Sequence, residues 1–227
     1  MRWDPGWTHA GTADYVLTGA GLGVLAFELA YAQPRQPPLR WTGPILFDQA
    51  VRDALEGRTQ AVRDEAATAS RAILTVDLAY PVVVDVPYAW TQFGSRTAWD
   101  LLWQDATALS LATATDMGLR DLVGRARPET SDCLAAGGST GHCLGSTEAT
   151  RSFPGGHFTV ATTSAVLVCT QHLALRLYGA PWDAVACGAA LTMDAAWVRS
   201  GSSPTITGRP TSSPAARSAS PSAGASR

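Results

Sequence analysis

The sequence predicts an all-α fold: a membrane helical bundle of about five long helices, followed by a disordered tail. Three observations carry this reading. Apolar segments with few charges recur at Tyr15–Phe27, Ala72–Trp90, Leu101–Thr115, Phe158–Leu175 and Pro181–Val198. Charged residues make up only 16% of the chain, against roughly 25% in an average soluble domain. No internal repeat, heptad array or Gly-rich nucleotide loop is present. The one β-branched run, "ILTVDLAYPVVVDV", has a periodicity that does not separate a strand from a buried helix.

In chain order, the N-terminal stretch up to Pro34 resembles a secretory signal at Ala30-Tyr31-Ala32. Arg2 is the only cation before the apolar run, and Asp4 and Asp14 are out of place in a signal's basic region, so a retained helix is expected. Between the first two segments, Phe47, Val51, Leu55 and Val62 mark one face of an amphipathic surface helix. The second apolar segment holds Asp77, Pro81, Asp85 and Pro87, the third Asp105, and the fifth Asp183 and Asp194. Phe158–Leu175 has no formal charge, with His172 inside it, and approaches the roughly 20 residues a spanning helix needs. Two architectures fit: membrane helices whose polar residues face inward, or the core helices of a soluble bundle. Trp90, Trp99, Trp103, Trp182 and Trp197, near segment ends, suit the interfacial belt of the first.

From Gly201 on, Ser, Pro, Ala, Gly, Thr and Arg dominate, and such a composition buries too little surface to offset the entropy of ordering. The chain therefore divides into a helical domain over 1–199 and a low-complexity tail over 200–227. A formal net charge of -2 gives no basic field for nucleic acid.

Cys133 and Cys143 bracket a flexible loop and suit a disulfide if that loop faces an oxidising compartment. Zinc binding by Cys133, His142 and Cys143 matches no strong ligand spacing. Cys169 and Cys187, inside apolar segments, read as buried free thiols. His9, His142 and His172 belong to no motif and read as structural or solvated.

The chemistry-bearing residues lie on either side of the cysteine loop. In "GLRDLVGRARPE", Arg120, Gly124 and Arg127 share a face if the segment is helical, and Pro128 ends the run. Paired guanidiniums suit a phosphate, and an ordinary basic helix end accounts for the segment equally well. In "SFPGGH", Gly155 and Gly156 permit close approach of a ligand to the backbone. A helix starting near His157 would aim its unpaired amides at the same place. His157 would then be positioned to give a proton to a leaving group.

Together these stretches resemble the first two signature motifs of the type 2 phosphatidic acid phosphatase family, which shares its fold with vanadium haloperoxidases. Arg120, six residues, then Arg127-Pro128 is similar to the family's Lys, six residues, Arg-Pro. Pro154-Gly155-Gly156-His157 is similar to Pro-Ser-Gly-His, with Gly155 where the family has Ser. The likeness extends over residues 14–199. It implies that Arg120, Arg127, Gly155, Gly156 and Arg199 bind phosphate, that His157 is the general acid, and that no cofactor is needed, vanadate serving as a phosphate mimic. The substrate implied is a phospholipid or isoprenoid phosphate. An inside N-terminus would put the loop, after three crossings, on the extracytoplasmic side.

The third motif departs from the family. It should supply, after Arg199, a nucleophilic His and an orienting Asp, and no histidine follows Arg199 in these 227 residues. Hydrolysis is therefore expected to be impaired. Pro204–Ala215, back-translated with GC-rich codons and read from the third base, gives Asp-His-Tyr-Arg-Pro-Thr-Asp-Val-Leu-Ala-Gly. This resembles a third motif with its His–Asp spacing one residue longer than usual, and points to a frameshift just after Arg199. The coding DNA is expected to carry a His and an Asp in the shifted frame; a shifted frame that lacks both and soon stops removes the explanation.

Overall fold

The computed structural model describes residues 9–43 and 60–201. Phe47, Val51 and Leu55 of the expected surface helix, and the tail beyond Gly201, lie outside the described residues; Val62 falls within a helix. Helix α1 spans Thr12–Phe27 and continues as a π turn over Glu28–Ala32. Helix α2, Gln60–Tyr80, passes through a π turn at Pro81–Asp85 into α3, Val86–Phe93. The β-branched run is thus helical. Proline has no N–H and crowds the carbonyl four residues back, and here the wider turn begins at Pro81. Helix α4 covers Ser95–Val123, short α5 and α6 cover Pro128–Ala135 and Thr140–Cys143, and α7 and α8 cover Gly156–Leu175 and Trp182–Gly201. Among the described residues no strand forms, only one isolated bridge between Trp41 and Arg125.

Side-chain pairs fix the helix directions. Thr18 meets Thr107 at 2.7 Å, and a Cβ on Gly21 would stand 2.8 Å from Ser110 Oγ, so α1 and α4 run parallel and close. Small residues permit that approach. Asp116 bonds Thr159 and Asp105 bonds Gln171, which sets α4 antiparallel to α7. Ser164 donates to the Asp77 carbonyl and His172 lies against Asp85, so α2 with its π turn runs parallel to α7. Cys169 is joined to Cys187 and Thr162 donates to Asp194, which sets α8 antiparallel to α7. The result is an up-down-up-down-up bundle. Cys169 and Cys187 are therefore not free thiols: the α7–α8 register brings them together. Cys133 and Cys143 are also joined, as expected, in the cap between α4 and α7.

The distribution of polarity is inverted relative to a soluble bundle. Asp85, Asp105 and His172 are 0% exposed and Gln171 2%, whereas Val83 is 67%, Val16 63% and Leu173 58% exposed. Thr12–Ala32, Thr68–Phe93 and Gly156–Leu175 are each long and apolar enough to cross a membrane.

At one end of the bundle the cap is assembled around Arg151, which is 3% exposed. Its Nε donates to Asp121 Oδ1 at 2.6 Å, and its Nη2 to the carbonyls of Ala32 and Arg35, each at 2.7 Å. Its Nη1 donates to the carbonyls of Gln33 and Thr147 at 3.2 and 3.0 Å. Burial pulls the guanidinium down, but the hydrogen bond and charge of Asp121, with Glu148 and Glu28, outweigh that and hold it above its ordinary value. Arg151→Met keeps the bulk but strands Asp121 and the carbonyls. It is expected to lower stability by about 3–5 kcal/mol, the range for breaking a buried pair. Thermal unfolding in detergent measures this, and an unshifted midpoint would show that the cap does not depend on Arg151.

Candidate functional site

The sequence-predicted residues converge at the capped end. Helix α4 delivers Arg120 in its last turn and then stops, because Gly124 adopts φ +57°. A Cβ there would collide with the Pro38 carbonyl oxygen, and the left-handed conformation favours glycine in any case. Arg127 is consequently not on the same helix face as Arg120 and Gly124, as the helical spacing suggested. Beyond Gly124 the chain to Arg127 leaves the helix and is pinned on both sides: Ala126 N–H donates to the Trp41 carbonyl at 2.7 Å, and Arg127 N–H to the Ala149 carbonyl at 2.8 Å. Pro128 does not end a helix either; it begins α5, where its fixed φ and missing N–H are tolerated.

Helix α7 begins at Gly156, with Gly155 as its N-cap, so His157 lies in the first turn as expected. The first-turn amides have no carbonyl acceptor within the helix and carry the positive end of its dipole. A Cβ on Gly156 would stand 2.7 Å from Asp116 Oδ2 and 3.3 Å from Arg120 Cζ. Glycine at this position is therefore what lets the start of α7 sit against the α4 arginine. Gly155 is less confined: a Cβ there would meet only Phe158 Cβ, at an ordinary 3.6 Å. The exposed His157 lies within the electrostatic reach of Arg120, Arg127, Asp116 and Glu148.

Asp116 and Glu148 were not singled out by the motifs. Asp116 Oδ2 is 3.2 Å from Arg120 Nε, and Asp116 Oδ1 accepts from Thr159 Oγ1 at 3.1 Å. Glu148 Oε2 accepts from Arg127 Nη2 at 2.8 Å. Each of these arginines is thus held by a carboxylate. Asp116 had a legible signal, an acid one helical turn before Arg120; Glu148 had none, since its pairing depends on how the cap folds.

Arg199 lies in the last turn of α8, and the Cys169–Cys187 and Thr162–Asp194 register carries its backbone to the level of His157. Cys133 and Cys143, being joined, are not thiolate ligands. Among the described residues no group of three or more His, Cys, Asp or Glu is placed to hold a metal. His9 pairs with Asp100 at 2.7 Å, His142 is exposed, and His172 is buried between Asp85 and Asp183.

Gly156→Ala is expected to cost about 1–3 kcal/mol of stability, as overpacking does, by driving Asp116 and Arg120 apart. Gly155→Ala is expected to be nearly neutral. Paired thermal melts check this; equal melting of the two variants would show that α7 does not press on the arginine. No family model, curated protein or solved structure matches this chain.

Proposed function

We propose that this chain is a membrane-embedded protein of the phosphatidic acid phosphatase type. Its site binds the phosphate of a phospholipid or isoprenoid phosphate, and its hydrolytic activity is lost or slight. The observation that carries the phosphate site is the meeting of Arg120 with the first turn of α7 at Gly156, two segments far apart in sequence. Arginine forks and helix-start amides are the two groups best suited to a multiply charged oxyanion.

Two features favour the membrane over a soluble acid phosphatase or haloperoxidase relative. Exposed valines and leucines cover the long helices while carboxylates are buried. Moreover, α2 and α7 run the same way, so if both cross, α4 must cross back between them. Three of its four acidic residues, Asp100, Asp105 and Asp116, are buried, as a crossing helix requires, and the fourth, Asp121, lies in the last turn at the capped end, paired with Arg151. The disulfide Cys133–Cys143 at the site end supports an oxidising, extracytoplasmic exposure of that end.

In the proposed chemistry, Arg120 and Arg127 spread the charge of the transferring phosphoryl group and His157 protonates the leaving oxygen. Binding has to displace Glu148 from Arg127, and within these 227 residues no histidine follows Arg199 to attack phosphorus. The occupied arginines and missing nucleophile also favour a second reading, a non-catalytic protein that holds lipid head groups. Orthovanadate binding to the detergent-solubilised protein is expected to be weak. It should fall by roughly tenfold or more in Arg120→Ala, the scale of a lost charged hydrogen bond. Phosphatidate turnover is expected at background. Robust hydrolysis abolished by His157→Ala would overturn the claim of impairment, and vanadate binding insensitive to Arg120→Ala would overturn the site itself.

A further inference from the structure

We propose that the buried polar groups at the α7–α8 turn form a proton-conducting relay, Asp183–His172–Asp85–Tyr178–Tyr80, that ends at a partly open, mostly apolar cavity beside Asp77. This rests on the membrane-spanning reading above and is independent of the phosphate site, which lies at the other end of the bundle.

All but one of the links are hydrogen bonds. The fully buried His172 has Nδ1 hydrogen-bonded to Asp183 Oδ1 at 3.0 Å; its Nε2 stands 3.3 Å from Asp85 Oδ1, at ion-pair distance but outside hydrogen-bond geometry, so that hop needs a small turn of the ring. Tyr178 donates its hydroxyl to Asp85 Oδ1 at 2.5 Å and lies 2.9 Å from the Tyr80 hydroxyl. An imidazole between two carboxylates can accept a proton on one nitrogen and release one from the other, and a phenol can donate and accept at once. Tyr80 and Asp77 line a cavity of about 60 Å³ between α2, α7 and α8, otherwise walled by residues such as Val168, Ala190 and Met193. The volume exceeds the roughly 10–15 Å³ a water molecule requires. Asp77 is 2% exposed, and its Oδ2 has no hydrogen-bond partner. Past the cavity, the charge of Asp194 acts on Asp77, and Asp194 accepts from Thr162 at 3.2 Å. Asp183 and Asp194 stand on one helix, separated by about 16 Å at 1.5 Å per residue. That is about half of a hydrocarbon core of roughly 30 Å.

Charge balance identifies the ligand. Asp85 from the π turn and Asp183 from α8 flank one imidazole, and Asp105 from α4, held by Gln171 Nε2 at 2.6 Å, lies within electrostatic reach of Asp85. The second oxygens of these three carboxylates, Gln171 Oε1 and His172 Nε2 have no hydrogen-bond partner, and all but the imidazole nitrogen, which can also donate, are acceptors alone. Three buried carboxylates are not balanced by one imidazolium, and uncompensated buried charge is costly. No three of the acid or imidazole groups among the described residues converge on a point where a metal would sit. The compensating cation is the proton. A proton entering at Asp183 forms an N–H at His172 Nδ1, and the Nε2 proton leaves to Asp85. Asp85 and the two phenols then pass protons on to the cavity and Asp77. Each hop breaks one O–H or N–H bond and forms another, so one proton enters, one leaves and no co-reactant is consumed.

The test is proton flux into phosphatidylcholine vesicles containing the full chain and a pH-sensitive dye, driven by a potassium gradient with valinomycin. Flux above that of protein-free vesicles is expected. It should fall by roughly tenfold or more in Tyr178→Phe and in Asp77→Asn, as loss of one hydrogen-bonded carrier implies. It should be unchanged in the lipid-facing Val83→Ala. Asp77→Asn is isosteric and lies outside the hydrogen-bonded chain, so it keeps the test decisive if Tyr178→Phe does not fold. Protein that floats with the vesicles but gives no flux, or flux indifferent to both substitutions, overturns the relay alone. Protein that does not float with the vesicles overturns the membrane reading and the relay with it.

Discussion

The buried guanidinium of Arg151 is the interaction on which the rest of the site end depends. One side chain gathers the carbonyls that end the first helix, the carboxylate of Asp121 on α4 and the turn that precedes α7. Without such a cation the Gln33 and Arg35 carbonyls would lose their donor, and the Ala32 carbonyl would keep only the Arg35 N–H. With it, the last turn of α4 and the first turn of α7 are held at fixed distance, and Arg120 comes to rest against Gly156. The catalytic-looking residues are consequences of this arrangement. Their position follows from an arginine that belongs to neither motif.

The rest of the bundle follows the opposite logic from its cap. Along the long helices polar groups turn inward and pair across the interior, Asp105 with Gln171 and His172 with its two aspartates. Apolar side chains turn outward. In water this would be an unstable pattern; in a lipid solvent, where apolar packing gives no hydrophobic drive between helices, inward polar pairs supply part of the adhesion. The polar interior and the proposed membrane setting are therefore one argument.

Much of this was legible in the sequence, and the failures have identifiable causes. The first, fourth and fifth apolar segments appear as helices close to the expected limits, whereas the second begins well before Ala72 and the third runs past both ends of Leu101–Thr115, to the glycines Gly94 and Gly124 that bound it. Gly155, Gly156 and His157 fall at a helix start, as expected, because cap chemistry is local, whereas the helix carrying Arg120 stops at Val123 rather than at Pro128. What was illegible depended on contacts between distant segments. The helical face assigned to Arg120 and Arg127 fails at Gly124, whose left-handed conformation ends α4 and whose type was a legible stop signal; the pinning of the chain beyond it by Trp41 was not legible, since nothing near position 125 announces a partner in the region of position 41. The disulfide between Cys169 and Cys187 was missed for the same reason, since its registration depends on how α8 folds back. His172, set aside as a residue without a motif, proves to be the centre of a buried network. Its partners come from a π turn and from the start of another helix, too far apart in sequence to form a pattern.

The Cys169–Cys187 bond has one further consequence. It is a covalent pin partway along two antiparallel helices, so the far end of α8 cannot slide relative to α7. The chain leaves the described residues at Gly201, close to the level of His157. The end of α8 is thereby fixed at the level of the site's first turn, so Arg199 cannot drift away from His157 by helix sliding unless that bond is first reduced.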